Sequence, residues 1–259
     1  MLPIQKMKLS VAIITLNEED RLEDALKSCA GIADEIVVVD SYSTDNTVRI
    51  AEKYGARVFQ HPFVDYGTQK NVALNYTSCP WVLNLDADER VSPELEDAIQ
   101  KLKRSDREIE ADGFLIKRKT AYMGRWITHS GWYPDRKLRL FRKEKGKWQG
   151  RIHERLVLDG KTDRIEGDIL HFTYRDMTDH INRLNRYSRM QADDIVQRNT
   201  GFLFLRALFL PPVTFLRFYL WKRGILDGFP GWVIAVVSSW ATAMKYLKAI
   251  EIKRKGVGR

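Results

Sequence analysis

The stretch Trp81-Val82-Leu83-Asn84-Leu85-Asp86-Ala87-Asp88-Glu89 reads as a buried strand that ends in clustered acid. A bare D-x-D is common by chance, but a buried strand rarely ends on several carboxylates without a counter-charge. Upstream, the same design occurs twice. Leu9 to Thr15 is a Val- and Ile-rich strand that runs into Thr15-Leu16-Asn17-Glu18-Glu19, and Glu35 to Asp40 is a β-branched strand that runs into Ser41-Tyr42-Ser43-Thr44-Asp45. Between these lie helical signals: Glu19 to Ala30, with Leu22, Ala25, Leu26 and Cys29 on one face, and a second helix carrying Val48, Ile50, Ala51 and Tyr54. Thr44 or Asp45 can cap that second helix, and Gly55 can stop it. A short strand over Ala56 to Gln60 and a helix over Gly67 to Thr77 complete the alternation.

Strand–helix alternation of this kind predicts an α/β fold with a mainly parallel sheet covered by helices on both faces. Ligands of such sheets bind beyond the carboxyl ends of the strands. The polar clusters after strands one, two and four are therefore expected on one rim. From Gly113 to His171 the pattern turns more β-like and aromatic, which fits completion of the sheet and an acceptor side. Asp176 to Arg198 reads as a polar helix with Ile181, Leu184, Tyr187 and Ile195 as its buried positions. The composition changes after Thr200, so the expected domains are 1–200, catalytic, and 201–259, a basic apolar tail.

The chain has 259 residues, 44% of them hydrophobic and 11% aromatic, a profile that excludes a disordered chain. Cys29 and Cys79 match no metal-ligand spacing and read as reduced residues of a cytosolic protein. No signal peptide is legible before the first strand. Of the net charge of +9, residues 202–259 carry +8. A nucleic-acid module would not place acidic strand tips where phosphates approach, so no nucleic acid is expected as a partner. A nucleotidyltransferase would normally carry a Gly-rich phosphate loop after strand one, and Thr15-Leu16-Asn17-Glu18-Glu19 has no glycine. It stays the enzymatic alternative, beside a non-catalytic glycan- or membrane-binding protein.

Two carboxylates one residue apart can hold a hard divalent cation and the ribose of a nucleotide, which makes Asp86 and Asp88 the leading site candidates. Asp40, at a strand tip, can accept the ring N–H of uracil, while Asp45 also fits a helix cap. Together with Gln69-Lys70-Asn71, these runs resemble glycosyltransferase family 2 with the GT-A, Rossmann-like fold. Pro134 to Phe141 followed by Gly150-x-x-His153-Glu154 is similar to the lipopolysaccharide-core β-1,4-glucosyltransferase branch of that family. The resemblance spans roughly residues 9–175.

The resemblance implies an inverting, metal-assisted hexosyltransferase. Its donor would be a nucleotide sugar, UDP-glucose by that branch, and its acceptor a lipopolysaccharide core or another lipid-linked glycan. By the same carry-over Thr15, Asn17 and Glu18 line the nucleotide pocket, Asp40 contacts the base and Lys70 approaches the donor. Asp86 faces ribose or donor, and Asp88 binds Mg²⁺ or Mn²⁺ together with Asp86 and His171. The family's general base is the second acid of a Glu-Asp pair after a strand and a Gly-containing turn. Here His153-Glu154 stands in that place, so Glu154 is the expected base and Asp135 the alternative. Glu154 could instead pair with Arg151 or Arg155, and His171 could be a satisfied, partly buried histidine. Trp132, beside Gly131 and Asp135, is the acceptor-side candidate, since sugars stack on aromatic rings; core packing is the ordinary role of such residues. His61, His129 and His180 belong to no constellation in the sequence.

In the tail, Phe202 to Trp221 and the charge-free Gly228 to Met244 are the long apolar runs. As a helix the second would reach about 25 Å, against a hydrocarbon core of about 30 Å, and Pro230, Gly231, Ser238 and Ser239 weaken it. Flanking Trp, Tyr, Lys and Arg suggest helices lying in the interface at the cytoplasmic face of the inner membrane, peripheral or monotopic. The alternative is a helical pair packed on the catalytic domain or on another subunit of a homo-oligomer.

Overall fold

The computed structural model describes residues 6–150 and 154–257, which form two compact units. The first contains the residues up to Arg118 together with Asp135–His171; the second contains Lys119–Pro134 and the chain from Phe172 on. The boundary expected after residue 200 falls inside the second unit. There α5 (Met177–Gln197) packs on the tail helix α7 (Phe229–Val257), so the grouping follows burial and not the change in composition.

In the first unit, β1 (Leu9–Thr15), α1 (Leu22–Cys29), β2 (Glu35–Asp40), α2 (Thr47–Lys53), β3 (Arg57–Gln60), α3 (Tyr66–Tyr76) and β4 (Trp81–Asp86) give the expected alternation. They are followed by β5 (Glu89–Val91), α4 (Pro93–Arg104) and β6 (Gly113–Tyr122), the last of which passes into the second unit at Lys119. The short β7 (Arg125–Trp126) belongs to the second unit, and β8 (Asp135–Arg142), β9 (Gly146–Gln149), β10 (Arg155–Leu158) and β11 (Thr162–His171) to the first. The strand order is β3-β2-β1-β4-β8-β6-β11-β5. Ladders β2/β3, β1/β2 and β1/β4 are parallel, and β4/β8, β6/β8 and β5/β11 are antiparallel.

Alternation along the strands sorts the core. Val11, Ile13, Val38, Leu83 and Leu85 meet α1, α2 and α4 on one face. Ala12, Val37, Val39 and Val82 meet Ala73 and Leu74 of α3 on the other, together with Leu156 and Leu158 of the β9–β10 hairpin. The outcome is an α/β mixed sheet covered on both faces, in agreement with the expected class.

The second unit is mainly helical: α5 (Met177–Gln197), α6 (Leu203–Leu216), which continues as a π turn over Arg217–Trp221, and α7 (Phe229–Val257). α5 buries His180, Ser188 and Ala192, while Ile181 and Tyr187 are exposed. Of the expected buried set, Leu184 and Ile195 are half-buried, Ile195 against the cluster that includes Tyr246 and Ala249 of α7, whereas Ile181 and Tyr187 are not buried, because α7 chooses the face of α5. α7 is also longer than the run Gly228–Met244 suggests. Pro230 sits in the first turn, where its missing N–H costs nothing, and Gly231 is a close-approach site against the Gly224 carbonyl. Ser239 donates to the Pro211 carbonyl of α6 at 2.7 Å instead of interrupting its own helix. By length and composition, Leu203–Trp221 and Phe229–Lys255 could each cross a membrane.

Candidate active site

The parallel registers assemble the site. Thr15 pairs with Asp40 across β1/β2, and Ile14 with Asp86 across β1/β4, so the carboxyl ends of β1, β2 and β4 form one rim. The loops after β1 and β2 are bound to each other. Asp40 is fully buried; its Oδ1 accepts from the hydroxyls of Thr15 (3.0 Å) and Ser43, and its Oδ2 from the Ser43 amide (2.8 Å). Asn17 donates its amide to Ser43 Oγ (2.8 Å) and accepts from the Thr44 amide (2.9 Å), and the Glu18 amide donates to Thr47 Oγ1 (2.8 Å). Asn17 and Tyr42 hold φ of 54° and 62°, a left-handed conformation uncommon outside glycine and often found at functional loops. In this arrangement Asp40 anchors the loop, with no exposed surface of its own to offer a base. Asp45 is not the capping residue of α2, which is Asn46, but its side chain accepts the amides of Thr47 (3.0 Å) and Glu19 (3.2 Å).

A ladder of alternating charge crosses the floor of the site. Lys70, from the buried face of α3, is 2% exposed, and its Nζ stands 3.0 Å from both Asp86 Oδ1 and Glu154 Oε1. Arg139 of β8 reaches Asp86 Oδ2 at 2.8 Å, Glu89 Oε1 at 3.0 Å and Asn84 Oδ1 at 2.9 Å. Glu89 is fully buried, also accepts the Asp86 amide at 3.0 Å, and has Arg118 at 3.6 Å. Arg118 in turn holds Asp135 at 2.8 Å. Burial acts to raise the Asp86 carboxyl, but the charges of Arg139 and Lys70 outweigh it and hold Asp86 far below the usual carboxylate range. Burial alone would lower Arg139, and Asp86 and Glu89 keep it charged. The Trp148 ring roofs the ladder, 4.6 Å from Lys70 and 5.9 Å from Arg139.

α3 is fixed so that Lys70 can reach this place. Asp65 caps it by accepting the Thr68 amide at 2.8 Å, and the Asn71 side chain pairs with both backbone groups of Trp148 (2.9 and 3.0 Å). Gly67 lies so close to the Gly150 carbonyl that a Cβ would come within 2.4 Å of that oxygen. Gln69 is buried, contacts His61 Nδ1 at 2.9 Å and donates to Ser41 Oγ at 2.9 Å, so His61 supports the β2 loop after all.

The expected three-residue metal set does not assemble. Asp86 is occupied by Lys70 and Arg139, and among the described residues no group of three His, Cys, Asp or Glu side chains could hold a metal ion. Asp88 and His171 do meet. The antiparallel β5/β11 register pairs His171 with Glu89, and His171 Nε2 lies 3.5 Å from Asp88 Oδ2, with Arg21 at 3.6 Å from the same oxygen. An oxygen and a nitrogen ligand at about 2.1 Å from one cation stand ~3 Å apart at right angles, and Mg²⁺ commonly takes one or two protein ligands plus substrate phosphates. The pair therefore fits part of a divalent shell that a diphosphate would complete.

Among the described residues Glu154 pairs with Lys70; Arg151 and His153 lie outside them. Asp135 is held by Arg118 and by Lys137 at 3.2 Å. Trp132 belongs to the second unit, half-buried among Tyr122, Tyr174 and His180. Arg139 and Glu89 were missed in sequence.

The model of the family described as Glycosyl transferase family 2 matches residues 10–159. The chain is 34% identical over 264 residues to the lipopolysaccharide core biosynthesis glycosyltransferase LpsC of Rhizobium meliloti, covering 97% of this chain and 96% of the relative. It is 31% identical over 258 residues to an uncharacterized glycosyltransferase of Rickettsia typhi, covering 96% and 88%. Among solved structures it is similar to S. aureus TarS 1-349 in complex with UDP-GlcNAc, with a TM-score of 0.48 and 18% identity over 96% of this chain and 92% of that one.

Proposed function

The chain belongs to glycosyl transferase family 2, and from that premise we propose that it transfers a sugar, glucose from UDP-glucose, with inversion, to a lipopolysaccharide-core or other lipid-linked acceptor. The observation that carries the reading is Lys70, whose ammonium lies between the strand-tip acid Asp86 and the candidate base Glu154. One buried cation thereby brings donor-side and acceptor-side chemistry within two hydrogen-bond lengths.

In this reading the joined loops of Thr15–Glu18 and Asp40–Asp45 form the nucleotide pocket. Asp40 acts by holding Ser43 and Thr15 in place, and a base contact by Asp40 itself would need that turn to open. Asp86 faces the ribose. Asp88 and His171 would hold Mg²⁺ or Mn²⁺, which when bound offsets the charge that grows on the leaving diphosphate. Glu154 takes the proton of the acceptor hydroxyl as that oxygen attacks the anomeric carbon. The bond from that carbon to the diphosphate oxygen breaks, its electron pair leaves with UDP, and an α-linked donor gives a β-linked product.

Membrane association fits the second unit. Phe204, Leu208, Phe209, Trp221, Phe229, Trp232, Val236 and Trp240 are exposed on α6 and α7, with exposed Arg206, Arg217, Lys222 and Arg223 interleaved. We read the pair as lying in the interface at the cytoplasmic face, its basic stems reaching headgroups. Docking there would raise the effective concentration of a lipid-anchored acceptor.

Turnover of a panel of UDP-, GDP- and ADP-sugars by the full chain tests the donor. Hydrolysis confined to UDP-sugars, fastest for UDP-glucose, is the expected result; equal rates across nucleotides would remove the base-reading pocket.

A further inference from the structure

Four strands and a helix contribute to the charge ladder, in which Asp86 and Glu154 are the members read as donor-side and acceptor-side groups. Glu89 and Arg139 are buried: Arg139 bonds Glu89 at 3.0 Å and Asp86 at 2.8 Å, with Asp86 passing the connection to Lys70 at 3.0 Å and Lys70 to Glu154 at 3.0 Å. Glu154 follows residue 153 and precedes β10, so it sits on a connecting segment and not within a strand. Among the described residues its polar partner is Lys70. A carboxylate on a loop has several rotamers, and a base must be held to within a fraction of an ångström of its proton to be useful. Lys70 supplies that hold through Oε1, which leaves Oε2 to meet an acceptor hydroxyl.

Lys70 is itself a flexible four-carbon chain with a rotatable head. What fixes it is Asp86, and what fixes Asp86 is the planar fork of Arg139, whose Nη1 is tied to Asn84 and whose Nη2 is shared with Glu89. Trp148 closes the roof over both cations, which removes other positions for them.

We propose that Arg139 is a positioning residue for the transfer: through Asp86 and Lys70 it sets the orientation of Glu154, without touching substrate. The proposal rests on Glu154 being the base. It distinguishes Arg139 from a merely structural buried arginine, because its effect must pass through one named carboxylate.

The test is a double-mutant cycle on the full chain, using Arg139→Lys, Glu154→Gln and the pair, with kcat and donor KM measured for UDP-glucose transfer. Arg139→Lys keeps the charge and removes the fork. Expected is a kcat loss of about 10–100-fold, the scale of a misplaced catalytic group, with donor KM within about threefold. In the Glu154→Gln background the same change should alter kcat by no more than about twofold, the margin within which independent effects add. Losses that multiply in the double variant overturn the positioning role while leaving Glu154 as base. If Glu154→Gln keeps its turnover, the base reading itself fails, and the inference with it. Should Arg139→Lys not fold, Glu89→Gln loosens the same fork from the far side, and its cycle with Glu154→Gln decides by the same criterion.

Discussion

Glu154 and Asp135 stand at opposite ends of one ladder of ion pairs, and their partners separate them. Asp135 is clamped by Arg118 and Lys137, whereas Glu154 bonds a lysine that also serves the strand-tip acid. Glu154→Gln should therefore lower kcat by about 10²–10⁴-fold with donor affinity kept, and Asp135→Asn should cost far less. Steady-state kinetics on both variants checks this, and the reverse ranking would move the base to Asp135. The strand-tip acids were legible because an apolar run that stops on carboxylate has few ordinary explanations. Arg139 was not, since a charged residue in Lys137-Leu138-Arg139-Leu140-Phe141 reads as the solvent face of a half-exposed strand. The clue was Phe141, which shares the face of Arg139 and is fully buried under the β9–β10 hairpin. Nor could sequence show that Asp40 turns inward to hold Ser43, because that depends on the left-handed turn at Tyr42.

At the level of elements, α3 is the piece whose position matters most. It carries Lys70 on its buried face, and its first turn touches the backbone of residue 150, four positions before Glu154. Gly67→Ala would push a methyl group against that carbonyl. It is expected to cost about 1–3 kcal/mol in denaturant unfolding, the usual price of overpacking, and to lower transfer more than it lowers UDP binding. Stability and turnover equal to the parent chain would show that the contact is not needed. The strands β1, β2 and β4 and the helix α1 could be read from periodicity, since each buries a continuous or one-sided apolar set. The pairing of β11 with β5 could not. It joins segments some eighty residues apart, and it alone brings His171 beside Asp88. α5 shows the opposite limit: its apolar spacing was real, but the face it buries was decided by α7.

For the whole molecule, charge and apolar surface are concentrated in the second unit, where Trp221 is 84% exposed between Leu220 and Lys222. The full chain should float with vesicles of phosphatidylglycerol and phosphatidylcholine and less with phosphatidylcholine alone. High salt, or Lys222→Glu with Arg223→Glu, should weaken that binding, and alkaline carbonate should release it if the helices lie in the interface. Equal flotation on neutral vesicles would exclude the headgroup role. The central claim, however, concerns the rim of the first unit, and calorimetric titration of UDP into the full chain with and without Mn²⁺ tests it most directly. Binding tightened by the metal in the parent chain, and no longer metal-dependent in Asp88→Ala, is the predicted result. UDP binding that ignores Mn²⁺ in the parent chain, or metal dependence that survives in Asp88→Ala, would contradict it.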